Sequence, residues 1–166
     1  MNQPDPNVLD WQIPPAARQH AIERMKRQFE AWDLAVPQVA PLVLDFGLGR
    51  FDQTGVIELW LADEHQAGYC GKYMFVFDGQ QCPTHRHLAK HETFVLIKGR
   101  LEVGIELERL TMNPGDIRPI APGLMHSFKG EEPSLLLELS MPCVVLDNQF
   151  ADESINQWLR RFVSPS

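Results

Sequence analysis

The sequence predicts an all-β barrel or sandwich with a helix at each end, and three observations carry that prediction. Beyond residue 41 the apolar residues fall into short runs separated by glycine- and proline-bearing turns, the pattern of a sheet protein. Before that point Ile22, Met25, Phe29 and Trp32 recur at helical spacing, which marks one amphipathic helix. Near the other end Ile155, Leu159 and Phe162 do the same.

Taken in order, residues 1–13 are polar and proline-bearing and are expected to form a loosely held arm. Pro14 and Pro15 open the first helix, since proline is tolerated in a first turn. The helix is expected to cover one edge of the body, with a dimer contact as the alternative, and Pro37 and Pro41 end the helical region. The runs PLVLDF, VIELWLA and YCGKYMFVF then read as strands, with DEHQAG as a turn. Lys98-Gly99-Arg100 is expected to close a hairpin between TFVLI and LEVGIEL. NPGD at 113–116 is a turn, and DIRPI, HSF and SLLLELS follow as short strands. In LEVGIELERL, Val103, Ile105 and Leu107 would share one face and Glu102, Glu106 and Glu108 the other. Asp152 is placed to cap the closing helix. With 166 residues and neither repeat nor linker, one domain is expected: an arm and helix over 1–41 packed on a barrel over 42–166.

The net charge of −7 argues against broad binding to nucleic acid or anionic membrane, both of which call for basic surface. The first fifteen residues lack a basic and an apolar region, and no apolar run approaches the length of a membrane span. Three cysteines, Cys70, Cys82 and Cys143, form no CxxC pair and read as free packing thiols in a reducing compartment. A cytoplasmic location is therefore expected.

The chemistry concentrates in residues 79–99, GQQCPTHRHLAKHETFVLIKG. His85 and His87 are two apart and so share one face of a strand. Two imidazoles on one face can converge on one ion at about 2.0–2.1 Å each. Glu92 adds a carboxylate from the next strand, and His126 closes the site from a later one. Three neutral nitrogens and a carboxylate oxygen suit Mn, Fe, Zn, Ni or Co. An H-x-H pair alone is a weak motif, and a lone histidine is more often a core or surface residue than a ligand; the constellation makes the case. His91 is expected to point away, His20 and His65 to lie at the surface, and Arg86 to make a structural ion pair.

The stretch also fits the first cupin motif without a gap, through Gly79, His85, His87, Glu92 and Gly99. Gly115, Gly123 and His126 keep the register of the second motif, with Ala121 where proline is usual and Gly130 where asparagine is usual. The chain therefore resembles the cupin superfamily over about residues 42–146, which implies a double-stranded β-helix, or jelly roll, holding a metal in its mouth. In finer detail it is similar to the D-lyxose isomerases and related sugar-isomerase cupins. The segments DFGLG, YCGK, GQQCPTHRH, KHETF and ELSMPCVVLDNQFAD carry that similarity, in that order. It implies a divalent ion, manganese first, and a pentose or hexose substrate interconverted between aldose and ketose. One departure is plain: only four residues separate His87 from Glu92, where those isomerases have a longer spacer that walls the sugar pocket.

An isomerase needs a base near C1 and C2 of the sugar and donors for its oxygens. Glu138 is a carboxylate in an otherwise apolar strand, which is costly to bury unless it faces a cavity and a partner; it is the expected base, against a solvent-facing edge residue. Lys72 and Lys90 are the candidate donors, against the ordinary solvated lysine. Two alternatives remain, an iron-dependent dioxygenase and a non-catalytic cupin that binds a sugar or other small ligand. A homodimer is the expected assembly.

Overall fold

The computed structural model describes residues 12–163. Of the arm expected over residues 1–13, residues 1–11 lie outside the described residues, and so does the side chain of Phe162. Gln12 and Ile13, the last residues of that arm, are held: the Ile13 amide donates to the Val43 carbonyl at 3.3 Å and the Ile13 side chain is buried.

The helix α1 (Pro15–Ala31) begins with proline in its first turn. It buries Ala21, Met25 and Phe29, with Ile22 and Trp32 half-buried alongside. It ends six residues before Pro37, where Asp33 takes a left-handed φ of +54°, a geometry that halts a helix. Among the described residues eleven strands follow: β1 (Leu42–Leu44), β2 (Val56–Glu64), β3 (Tyr69–Val76), β4 (Gln81–His87), β5 (Glu92–Lys98), β6 (Leu101–Ile105), β7 (Glu108–Met112), β8 (Ile117–Ile120), β9 (His126–Gly130), β10 (Ser134–Ser140) and β11 (Asn148–Phe150). The helix α2 (Glu153–Val163) closes the described chain. Asp152 caps it, its carboxylate accepting from the Ser154 amide at 2.9 Å.

The strands form two antiparallel sheets, one in the order β1-β2-β3-β10-β5-β8 and one in the order β11-β4-β9-β6-β7, facing each other as a jelly roll. Two expectations are corrected here. Gly99 closes no hairpin: β5 lies in the first sheet and β6 in the second, so the chain crosses between sheets at this point. Gly99 has a φ of +83°, and a Cβ there would stand 2.3 Å from the Pro133 carbonyl oxygen. Only glycine permits that turn against that neighbour. LEVGIELERL is likewise two strands. It reverses at Glu106 and Leu107, leaving Leu107 99% exposed. No glycine, proline or asparagine marks the turn. Glu106 holds it instead, taking a φ of +52° and bonding across to Met125 through both its amide and its carboxylate.

Alternation along the strands separates two apolar clusters. The outer face of the six-stranded sheet presents Ile57, Leu59, Phe75, Phe77 and Leu135 to α1. So α1 lies across a sheet face rather than along an edge, with Phe29 and Trp32 at 6.3 and 5.9 Å from the Phe75 ring. The inner face buries Met74, Val76, Phe94, Leu96, Phe128 and Leu136 within the barrel. Gly130 lies there too, with the Phe77 carbonyl oxygen 2.5 Å from where a Cβ would sit, which accounts for glycine in place of the usual asparagine. Ile155 and Leu159 of α2 close one side of this core with Phe46 and Phe150. Among the described residues no helix is long and apolar enough to cross a membrane.

Candidate metal centre and buried charge ladder

The inward-facing positions turn from apolar to ionisable toward one end of the barrel. On β4, His85 and His87 both face inward and are 8% and 6% exposed. Opposite them on β9, His126 pairs directly with His85 in the strand register. The three rings offer nitrogens that all lie within 4.8 Å of one another. From the facing sheet Glu92 brings Oε1 to 2.7 Å from His126 Nε2 and Oε2 to 3.5 Å from His87 Nε2. All four predicted ligand residues are therefore brought together. His91 is exposed, as are His20 and His65.

Two rings are oriented from behind. His85 Nδ1 lies 2.8 Å from the Pro83 carbonyl and His126 Nδ1 lies 3.0 Å from the Leu124 carbonyl. Each carbonyl accepts the Nδ1 proton, which turns Nε2 toward the cluster. The Phe150 ring stacks on His85 at 5.2 Å and the Phe94 ring meets His126 edge-on at 5.9 Å. Burial, followed by the neighbouring imidazoles, holds His85 well below its ordinary range. Burial, followed by the Lys90 ammonium, lowers His87 to about 4. Burial alone would push Glu92 up, but His126 and Lys90 outweigh it and hold the carboxyl well below its usual range. His85 and His87 are thus held neutral beside an ionised Glu92, the state a divalent ion requires. Despite the short contacts, His87 Nε2, His126 Nε2 and both Glu92 oxygens are buried without a well-formed hydrogen bond. Buried polar atoms of this kind need a partner, and a cation among them fits that need. The donor set, three imidazole nitrogens and one carboxylate, suits a first-row divalent ion.

Beyond Glu92 the charges continue. Lys90 Nζ lies 2.8 Å from Glu92 Oε2 and donates to Glu138 Oε1 at 2.8 Å. Lys72 Nζ lies 3.5 Å from Glu138 Oε2 and donates to Glu58 Oε1 at 2.7 Å. Trp60 Nε1 donates to the other Glu58 oxygen at 2.8 Å, and Ser140 Oγ donates to Glu138 at 2.9 Å. Glu58, Lys72, Glu138, Lys90 and Glu92 thus form a ladder of alternating sign, all of them buried. Strand register builds it: Lys72 of β3 stands opposite Glu138 of β10, and Ser140 opposite Glu92 of β5. Burial pushes Glu138 up, but Lys72 and Lys90 together prevail and lower it. Burial likewise opposes the charge on both lysines, yet Glu138 leads the neighbours that hold each well above its ordinary value.

Sequence reasoning missed three features of this site. Glu58 is the same signal that singled out Glu138, a carboxylate alternating with Val56 and Trp60 in an apolar strand. Asp147 carries no sequence signal. Its carboxylate accepts from the amides of Leu88, Ala89 and Lys90 at 3.0, 2.9 and 3.0 Å, so it ties down the short spacer between His87 and Glu92. The cysteines read from sequence as free packing thiols with no pairing motif, but Cys70 and Cys143 meet at 3.6 Å, because the segment after β10 folds back over β3. Arg86 faces away from the histidines, and its partner is the Gln149 side-chain amide oxygen at 3.1 Å rather than a carboxylate.

The comparisons with known proteins agree with this architecture. Residues 73–140 match the cupin domain model. A D-lyxose/D-mannose isomerase of Thermosediminibacter oceani is 31% identical, over 59% of this chain and 68% of that protein. A D-lyxose ketol-isomerase of Thermofilum sp. is 27% identical, over 69% of this chain and 78% of that protein. Among solved structures, the L-ribose isomerases of Acinetobacter sp. DL28 and Cellulomonas parahominis superpose with TM-scores of 0.69 each, at 14% and 16% identity. They cover 90% of this chain and 96% and 97% of theirs, a likeness of fold. On the relative covered over 68% of its length and the cupin match within the barrel, the chain belongs to the cupin family that contains the D-lyxose isomerases.

Proposed function

We propose that this chain is a metal-dependent aldose–ketose isomerase acting on a pentose or hexose. The observation that carries the reading is the meeting of Glu138 with two lysines at the edge of the His–Glu cluster. His85, His87, Glu92 and His126 would hold the ion, expected to be manganese. When bound, a divalent ion supplies Lewis-acid polarisation of a carbonyl and its neighbouring hydroxyl. Glu138, held ionised by Lys72 and Lys90, is in the state needed to take a proton from one sugar carbon and return it to the next. Lys90 sits between Glu92 and Glu138, where it can donate to a sugar oxygen as charge develops there. Lys72 anchors the far oxygen of Glu138 and is itself fixed by Glu58. The relatives support D-lyxose, D-mannose and L-ribose as the first substrates to try.

The trimmed spacer does not leave that side of the site bare. Asp147 caps it, and the Met141 amide donates to the His91 carbonyl at 3.1 Å, so the segment 141–147 packs against it. We read residues 12–163 as one folding unit in a cytoplasmic protein with reduced thiols. We read it as a homodimer whose contact is the outer sheet face that α1 leaves open. There Ile117 and Leu139 are 63% and 49% exposed beside half-buried Val95, Leu137 and Tyr73, and contiguous exposed apolar surface marks an interface.

The test is anaerobic incubation of manganese-loaded protein with D-lyxose, D-mannose and L-ribose, with ketose formation as the readout. Glu138→Gln should cut turnover by roughly 10²–10⁴-fold while the metal content stays at the wild-type level. In a parallel aerobic run with iron-loaded protein, oxygen uptake on sugar addition would favour the dioxygenase alternative. Tight sugar binding with no ketose formed would favour the non-catalytic one.

A further inference from the structure

The mechanism above uses Lys72, Lys90 and Glu138 but not the two sulfurs lying among them. Cys70 is on β3, opposite Ser140 in the register with β10, and is 2% exposed. Cys143 is in the irregular segment after β10 and is half-buried. The two sulfurs are 3.6 Å apart and both are free thiols. Cys143 Sγ is also 3.9 Å from Lys90 Nζ and 3.9 Å from Glu138 Oε1.

We propose that Cys70 and Cys143 form a reversible dithiol–disulfide site that reacts with hydroperoxides, Cys143 attacking and Cys70 resolving, and that closing the bond switches off the proton-transfer centre beside it. Its effect on turnover rests on the isomerase reading; its chemistry does not.

Geometry assigns the roles. A disulfide needs its sulfurs about 2.0 Å apart. Cys70 is fixed in a strand paired on both sides, so Cys143, in irregular chain, must make the approach. The attacking thiol must be reachable and stand near positive charge. Cys143 is half-buried and close to Lys90, whereas Cys70 is enclosed. The sulfur–sulfur contact with Cys70 leads the influences that lower Cys143 to about 7, against burial and aided by Lys72 and Lys90. The same contact, with burial, pushes Cys70 up. Cys82, 5% exposed in the barrel core, is pushed up by burial and serves as an internal control.

In the first step the Cys143 thiolate attacks the terminal oxygen of the hydroperoxide. The O–O bond breaks, the leaving oxyanion takes a proton, and Cys143 becomes a sulfenic acid. Cys70 then loses its proton and attacks the Cys143 sulfur, and the sulfenic oxygen departs as water. With hydrogen peroxide, two thiols give up two protons and two electrons, and the peroxide is reduced to two waters. Closing the bond draws Cys143 toward Cys70 and so disturbs its packing against Lys90 and Glu138.

The experiment treats the reduced full chain, loaded with redox-inert zinc, with one equivalent of hydrogen peroxide. Peptides are then mapped by mass without reduction. The expected product is a Cys70–Cys143 cross-link reversed by dithiothreitol, with Cys82 still free. Cys70→Ser should instead leave a Cys143 sulfenic acid that dimedone traps. Oxidation of Cys143 to the sulfinic level with Cys70 free would overturn the proposal. So would thiols that stay unmodified in the folded protein yet react once it is unfolded. In the manganese-loaded protein, with D-lyxose as the probe, the oxidised form should turn over roughly ten- to a hundredfold more slowly and recover with reductant. The Cys70→Ser/Cys143→Ser double variant should resist the same treatment. A disulfide that forms without changing turnover would overturn the switch. If the reduced protein turns over none of the sugars, the isomerase reading fails, and the mass map still decides the disulfide.

Discussion

Replacing Asp147 by alanine should release the spacer that carries Lys90 into the site. The carboxylate accepts three backbone amides at 2.9–3.0 Å. A carboxylate acceptor can be worth more than a neutral one, but the Leu88 and Ala89 bonds are solvent-exposed. A net value of about 0.5–1.5 kcal/mol each is therefore appropriate, or roughly 2–4 kcal/mol for the three together. At about 1.4 kcal/mol per factor of ten, the open form of the spacer should become roughly thirty- to a thousandfold more populated. Hydrogen exchange reads this directly: the amides of Leu88, Ala89 and Lys90 should exchange faster by that factor, while amides in β10 and β3 should not change. Turnover should fall as well, because the Lys90 ammonium is held against Glu92 and Glu138 only while its backbone stays in place. Asp147→Asn keeps one acceptor oxygen and loses the charge, so it should fall between wild type and alanine. Unchanged exchange at residues 88–90 in the alanine variant would refute the reasoning, whatever happened to activity.

Other expectations follow from the same structure. Phe29→Ala, at a side chain 1% exposed between α1 and the sheet, should cost about 3–5 kcal/mol, read by denaturant titration, with metal stoichiometry unchanged. Ile117→Asp should leave the fold intact by circular dichroism and shift the protein from dimer to monomer by light scattering. Glu138 has its folded pKa lowered by Lys72 and Lys90 against burial. It therefore contributes stability that is fully present above the unfolded value of about 4.3 and is lost as pH falls through the folded value. The melting temperature of the metal-free protein should accordingly fall more steeply on acidification than that of Glu138→Gln, and parallel curves would contradict this. Chelation should lower the melting temperature of the metal-loaded protein, and replacing His126 by alanine should shrink that difference, both read by calorimetry.

Much of the site was legible because it is local. His85, His87 and Glu92 lie within one short stretch, and strand parity fixes which of them face inward. Glu138 and Lys72 were legible as charges interrupting apolar runs, and Lys90 by its strand parity with Glu92; all three proved buried. Glu58 carries the same mark and was passed over. Contacts made by irregular chain left no pattern. Asp147 grips three residues lying 57 to 59 positions earlier, and Cys143 meets Cys70 across 73 positions; no periodicity encodes such pairings. The Gly99 crossing failed for a different reason. A glycine between two apolar runs signals a turn, but whether the next strand pairs with the last or crosses to the other sheet depends on what the whole barrel must enclose.

The ladder from Glu58 to Glu92 has an odd number of rungs. Three carboxylates against two ammonium groups leave one negative charge, and the imidazoles add none when they ligate as neutral rings. A dication therefore leaves the end of the barrel with one positive charge in excess. A sugar enters uncharged, and an oxygen that sheds its proton during reaction would cancel that excess instead of adding to an anionic site. A monovalent ion would leave nothing to cancel, and a trivalent ion would leave the site over-attractive to any anion. The odd count of the ladder is thus a feature that a divalent ion would complement, as the proposed isomerase reading requires.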